Sequence, residues 1–138
     1  MSRLSIPTVD TAPEASKPLL AAVRKQLGVV PNLMKLVGHS PAALGGYLSL
    51  NGALAKGKLN VQLRESIALA VAEYNGCDYC LSAHSYLGKN LAKLSDAEIA
   101  ANRAGGSADQ KADAAVGFAV KLVNARGHVS DADLGAVR

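Results

Sequence analysis

Apolar residues recur every three or four positions along almost the whole chain, and no segment alternates with the two-residue period of a β-strand. Apolar residues make up 49% of the 138 positions, but aromatic residues make up only 4%. The core must therefore be built from alanine, leucine, valine and isoleucine. A chain of this length suits one domain with a core of its own. We predict a single all-α domain over residues 1–138, a bundle of about six helices.

Residues that favour the two ends of a helix divide the chain into segments. Serine, asparagine and proline favour the first turn, whereas glycine favours the position just after the last turn. Residues 1–14 are predicted to be extended, and residues 29–32 to form a turn. The predicted helices run from the Ser16 cap to Gly28, from Ser40-Pro41 to about Gly57, from the Asn60 cap to about Tyr74, from Cys77 to about Leu91, from the Ser95–Glu98 capping box onward, and from about Ala108 to Arg126.

The last residues resemble the start of a helix without its end. Ser130 can cap a further helix that begins at Asp131, but the chain stops at Arg138 after only a few residues. We therefore expect the natural protein to continue, so that residues 1–138 lack its natural C-terminal helix.

Charge and composition argue against two classes of partner. The net charge is +4, but the fifteen basic residues are scattered, and no aromatic residues interleave with them to stack bases. We therefore expect no nucleic-acid partner. No apolar stretch approaches the ~20 residues that span a bilayer, and the first residues lack a secretory signal. We expect a soluble, cytoplasmic protein with no membrane partner.

The number of cysteines points to chemistry rather than to structural support. Two cysteines are too few for a secreted disulfide scaffold, and the cytoplasm keeps thiols reduced. A Cys-x-x-Cys pair in that compartment is typical of catalysis or of metal binding. The sequence shows no nucleotide-phosphate loop and no flavin or haem signature. We expect neither a cofactor nor a bound metal.

Both cysteines and one histidine have a spacing that would place them together on a helix. Cys77, Cys80 and His84 are separated by three and four residues, which puts all three on one face. In the first turn of a helix, backbone N–H groups and the helix dipole would stabilise a thiolate at Cys77. An imidazole four residues after Cys80 can take the proton of that thiol. The pattern predicts a redox-active site that closes a disulfide.

One glutamate of the third predicted helix lies among apolar residues. On a helical projection the nearest neighbours of Glu65 are alanine, leucine and valine, whereas Ser66 and Glu73 lie on a separate polar stripe, where Glu73 is expected to be solvated. A carboxylate on an apolar face needs a partner, and it can hold and pass a proton. The break at Asn75-Gly76 could fold this helix back beside the next one. Pairing of Glu65 with an arginine across an interface is the alternative.

Other interpretations of the candidate residues stay open. The cysteine pair could be inert core residues, or part of a structural zinc site, although such a site needs four ligands. Tyr79 lies between the cysteines and is expected to be a pocket wall or a surface residue. His39 and His128 lie at predicted helix ends, where solvated histidines are common.

The segment from Glu65 to His84 resembles the signature of the alkylhydroperoxidase D-like branch of the carboxymuconolactone decarboxylase family. That signature is a glutamate, then Asn-Gly-Cys-x-x-Cys, then a histidine four residues later. This sequence has each element, in the stretch ESIALAVAEYNGCDYCLSAH. The resemblance implies an AhpD-like, all-helical fold that assembles as a homo-trimer or a homo-hexamer.

The same resemblance implies a thiol-dependent peroxidase that reduces hydrogen peroxide or organic hydroperoxides. Cys80 would attack the peroxide, and Cys77 would resolve the product as a disulfide. Glu65 and His84 would relay protons to Cys80, and a dithiol protein or a small thiol would restore the dithiol. The member best known for this activity has a second histidine just before the second cysteine, where this sequence has Tyr79. The helix dipole alone would instead favour the thiolate at Cys77.

Two other functions fit the same residues. The wider family is named for the decarboxylation of a lactone acid, a reaction that needs no disulfide. A non-catalytic redox sensor would cycle its disulfide without turnover. Both stay as alternatives to the peroxidase.

Overall fold

The computed structural model describes residues 4–138, and within that range it contains eight α-helices and no strand. The prediction of an all-α fold is confirmed. Residues 1–3, the start of the segment predicted to be extended, lie outside the described range. The helices are α1 Lys17–Leu27, α2 Asn32–Val37, α3 Pro41–Leu54, α4 Val61–Tyr74, α5 Asp78–Asn90, α6 Asp96–Arg103, α7 Gln110–Asn124 and α8 Asp131–Gly135, with one turn of 3₁₀ helix at Glu14–Ser16. None of the helices in this range has the length and apolar character that crossing a membrane requires.

Six of the eight helices match the predicted segments, and the two others are short. Only the start of helix α8 was predicted. Helix α2 was not predicted, because the six residues of α2 span less than two turns and show no clear period. The predicted turn over 29–32 therefore ends where α2 begins, at Asn32. Helix α3 ends at Leu54 rather than near Gly57.

Most of the predicted caps are formed. The side chains of Ser40 and Asn60 accept hydrogen bonds from backbone N–H groups in the first turns of α3 and α4. Gly28 ends α1 in the left-handed conformation, at φ 76°. Ser16 was wrongly predicted to cap α1 through its side chain. Its buried hydroxyl donates instead to the carbonyl of Gly38, at 2.7 Å.

The chain divides into two compact units, one ending at Gly57 and the other spanning Lys58–Arg138. In the first unit, α1 and α3 contribute the fully buried Leu20 and Leu44. Ala12 and partly buried valine, leucine and methionine side chains complete this core, as expected from the scarcity of aromatic residues. The single domain over residues 1–138 stays a prediction.

Helix α4 is the centre of the second unit, since it packs against α5, α6 and α7. Leu69 of α4 and Val116 of α7 are fully buried there. Gly88 of α5 is buried against Leu94 and Ile99, and an added methyl group would lie 3.4 Å from a carbon of Leu94. The small size of Gly88 therefore lets α5 pack closely against Leu94 and against Ile99 of α6.

The carboxylate of Glu98 accepts several hydrogen bonds in the connection between α6 and α7. The hydroxyl of Ser95 caps α6 as predicted, but Glu98 does not complete the capping box. Its carboxylate accepts hydrogen bonds from the hydroxyl of Ser107, the amide of Asn102 and the N–H of Ala108. The hydrogen bond from Ser107 is the main reason why the pKa of Glu98 is lowered.

Helix α8 is joined to α7 by an exposed ion pair. Ser130 and Asp133 form a complete capping box, which confirms the predicted helix start. The ammonium group of Lys121 lies 2.7 Å from the carboxylate of Asp133. Hydrogen bonds from Lys121 and then Ser130 lower the pKa of Asp133 to about 2.

Candidate thiol–disulfide site

The turn between α4 and α5 begins with a glycine-ended helix terminus. Gly76 has a φ of 61°, in the left-handed region that glycine adopts readily. The N–H of Gly76 donates to the carbonyl of Glu73, and the N–H of Cys77 donates to the carbonyl of Ala72, both at 3.0 Å. This pair of hydrogen bonds is the Schellman arrangement, which satisfies the last carbonyls of a helix. Cys77 is therefore held by the end of α4.

Cys77 is also the first residue of the α5 terminus, which corrects its predicted place inside the first turn. Helix α5 begins at Asp78, and Cys77 is its N-cap. The Sγ atom of Cys77 accepts a hydrogen bond from the N–H of Cys80 at 3.3 Å, the role that a serine or aspartate oxygen usually has. One cysteine thus belongs to the ends of two helices.

The two cysteines are joined to each other. A disulfide links Cys77 and Cys80, with a Cα–Cα separation of 5.3 Å, which is within the ordinary range for such bonds. Both residues are half-buried rather than sealed from solvent. The predicted bridge between neighbouring sulfur atoms is therefore present in the structure, in its oxidised form.

Glu65 and His84 form a pair across the two helices. The Nδ1 atom of His84 lies 2.8 Å from the Oε2 atom of Glu65, and the side chains are 33% and 13% exposed. The fold-back of α5 onto α4 brings these residues together, as the Asn75-Gly76 break predicted. Within this chain the partner of Glu65 is His84, and the alternative of an arginine across an interface stays a prediction. The prediction that Ser66 lies on a polar stripe is wrong, because Ser66 is only 2% exposed.

His84 lies one helical turn from the disulfide along α5. It lies four residues after Cys80 on the continuous helix α5, so the two side chains share one face, about 6 Å apart at their Cβ atoms. When the Nδ1–H donates to Glu65, the other ring nitrogen, Nε2, is the basic one. The site therefore offers a carboxylate, an imidazole paired with it, and a cysteine one helical turn away, which are the groups of a nucleophile with an oriented base.

The other predicted candidates lie outside this arrangement. Tyr79 is 48% exposed, in agreement with a surface residue. His39 lies in the first unit, where its Nε2 atom is 2.9 Å from the carbonyl of Ser5, and His128 is exposed. Over residues 4–138 no group of three His, Cys, Asp or Glu side chains is placed to hold a metal ion.

Four residues around the turn were not predicted as part of the site. Glu73, expected to be solvated and in fact exposed, pairs with Arg103 at 2.6 Å. The hydroxyl of Tyr74 donates to the side-chain oxygen of Asn124 at 2.7 Å. The partners are 30 and 50 residues apart in the chain, so no local sequence pattern could have indicated these contacts.

The left-handed glycine gives a stability prediction. A methyl group at Gly76 would meet no atom within 4 Å, so the only penalty for Gly76→Ala is its backbone conformation. We expect Gly76→Ala to lower the free energy of unfolding by about 1 to 2 kcal/mol, measured by urea unfolding of the oxidised protein. Gly117→Ala, inside α7 with similarly open space, should raise it by about 0.5 to 1 kcal/mol. Equal stability of Gly76→Ala and the wild type would contradict the assigned turn.

The fold and the sequence are both similar to those of known proteins. The structure is similar to the crystal structure of an alkylhydroperoxidase AhpD core, an uncharacterized peroxidase-related protein from Ralstonia eutropha JMP134, with a TM-score of 0.85 and 25% identity over 99% of this chain and 74% of that chain. It has the same fold as an uncharacterized peroxidase-related protein from Silicibacter sp. TM1040, with a TM-score of 0.83 and 24% identity over 98% of this chain and 73% of that chain. No curated protein sequence matches the chain. The sequence model of the carboxymuconolactone decarboxylase family matches residues 41–125, which is more than half of the chain, and the chain therefore belongs to that family.

Proposed function

We propose that this protein is a thiol-dependent peroxidase that reduces hydrogen peroxide or organic hydroperoxides. The observation that carries the proposal is the disulfide of Cys77 and Cys80, with the Glu65–His84 pair one helical turn beyond it. Membership of the family and likeness to a peroxidase-related protein support an oxidoreductase activity in general. The peroxidase is the specific form that a reversible disulfide beside a base favours.

In the first step, the thiolate of Cys80 attacks one peroxide oxygen, and the O–O bond breaks. The sulfur is oxidised to a sulfenic acid, and the other oxygen leaves as an alcohol or, from hydrogen peroxide, as water. His84 takes the thiol proton before the attack and returns it to the departing oxygen. The carboxylate of Glu65 stabilises the imidazolium that forms between these two events.

In the second step, the thiolate of Cys77 attacks the sulfur of the sulfenic acid at Cys80. The S–S bond forms, and the S–O bond breaks with release of water. A dithiol protein or a small thiol then supplies two electrons and two protons, which reopens the disulfide by thiol–disulfide exchange. Both cysteines are half-buried rather than sealed from solvent, which favours access by such a reductant.

The helix terminus and the histidine favour different sulfur atoms as the nucleophile. The α5 N-terminus favours a thiolate at Cys77, whereas His84 is one turn from Cys80. We assign the attack to Cys80, because an oriented base can take a proton as well as stabilise charge. Assembly as a homo-trimer or homo-hexamer and a cytoplasmic location belong to the same proposal.

The experiment is mass spectrometry of the reduced protein before and after one equivalent of peroxide, coupled to an assay of peroxide consumption with dithiothreitol. We expect a loss of two hydrogens confined to the peptide with both cysteines, together with continued turnover. One round of oxidation without turnover would contradict a peroxidase and favour the redox sensor. Decarboxylation of a lactone acid by a variant without cysteines would favour the lyase that gives the family its name.

A further inference from the structure

Two side-chain contacts hold the residues just before the turn that carries Cys77. Glu73 and Tyr74 are the last two residues of α4. Glu73 binds Arg103, the last residue of α6, and Tyr74 binds Asn124, the last residue of α7. The ends of three helices are therefore joined next to the disulfide. We call these two contacts the helix-end clamp.

We propose that the helix-end clamp sets the thiol–disulfide equilibrium of Cys77 and Cys80, by holding Cys77 in place when the disulfide is open. The inference rests on the proposed function for its role in a catalytic cycle. The thiol–disulfide equilibrium itself can be measured whether or not the protein is a peroxidase. Opening the bond consumes two electrons and two protons from a thiol reductant, such as glutathione or dithiothreitol, which becomes a disulfide in turn.

The clamp acts mainly on the reduced protein, because the oxidised turn is already restrained by a covalent bond. In the reduced protein, the position of Cys77 depends on the hydrogen bonds at the end of α4 and on the residues that anchor that end. A well-held Cys77 stays near Cys80, so the effective concentration of one thiol near the other is high. Loss of the clamp loosens this end and lowers the tendency of the disulfide to close.

The two contacts differ in their physical character. Arg103 and Glu73 are 47% and 41% exposed, so their ion pair is weak and sensitive to salt. The hydrogen bond that Arg103 donates to Glu73 raises the pKa of Arg103, which stays charged at any working pH. Tyr74 and Asn124 make a neutral hydrogen bond, whose contribution salt hardly changes. The different salt dependence of the two contacts therefore distinguishes their effects from a general loss of stability.

The test is the equilibrium of the disulfide in glutathione buffers, read by alkylation of free thiols and mass spectrometry. We expect Tyr74→Phe and Arg103→Gln each to lower the closing constant about threefold, and the double variant about tenfold. Salt raised from about 0.1 M to about 1 M should reproduce much of the Arg103→Gln effect in the wild type, and leave the Tyr74→Phe difference in place. Arg103→Lys should recover part of the loss.

The control is Lys121→Met, which breaks the exposed pair with Asp133 in the same unit and should leave the closing constant unchanged. Urea unfolding of the oxidised and reduced forms separates a structural role. A clamp that only stabilises the fold would lower both stabilities equally, and the closing constant would not move. An unchanged closing constant in the folded double variant would overturn the inference. Such a result would not contradict peroxide turnover by Cys77 and Cys80, so failure of this inference can be told apart from failure of the proposed function.

Discussion

Cys80→Ser is expected to reduce peroxide consumption about a thousandfold or more, to the level of the buffer with dithiothreitol. A serine hydroxyl beside His84 keeps its proton at neutral pH, and it lacks the reactivity of sulfur toward the O–O bond. The substitution replaces a sulfur atom with an oxygen atom and changes the volume of the side chain very little. The helix α5 should therefore keep its fold, which far-ultraviolet circular dichroism can check.

Cys77→Ser is the matched control, because it removes the other sulfur from the same turn. With no dithiothreitol present, it should consume one equivalent of peroxide at a rate close to that of the reduced wild type, and end as a sulfenic acid on Cys80 rather than as a disulfide. A serine oxygen at the N-cap can also accept the hydrogen bond that the Cys77 sulfur now accepts. If Cys80→Ser reacts and Cys77→Ser does not, the attacking sulfur is Cys77, and the helix dipole rather than His84 decides reactivity.

The parts of the fold that local interactions determine could be predicted from the sequence. The starts of α3, α4 and α8 follow from capping side chains that bind N–H groups three residues away. Glu98 shows the limit of such reasoning. It has the spacing of a capping box, but a longer connection offers Ser107 and Ala108 as stronger partners. Tertiary donors therefore displace the local one.

The candidate site was predictable to the extent that one sharp turn assembles it. Gly76 reverses the chain, so residues on facing sides of α4 and α5 meet, and the Glu65–His84 pair forms across 19 positions. The helix-end clamp depends on how α6 and α7 pack around α4, and a single sequence carries no signal for that packing. The roles of Cys77, Cys80, Glu65 and His84 in catalysis stay predictions.

Glu65→Gln is expected to lower kcat/KM for peroxide about a hundredfold or more, while the protein stays folded. The amide has nearly the size of the carboxylate, and its oxygen can still accept the hydrogen bond from Nδ1 of His84. The change therefore removes the negative charge and keeps the geometry. An uncharged partner no longer stabilises the imidazolium that forms when His84 holds the proton of Cys80.

Asp96→Asn is the control for Glu65→Gln, since it removes an exposed carboxylate of the second unit that pairs with Lys89 instead. Its rate should match the wild type, and both variants should have the same urea midpoint within error. A folded Glu65→Gln variant with more than about half of the wild-type rate would show that the carboxylate only fills space beside His84. In that case the histidine must act as the base without the help of Glu65, and the position of the half-buried carboxyl group would be explained by packing alone.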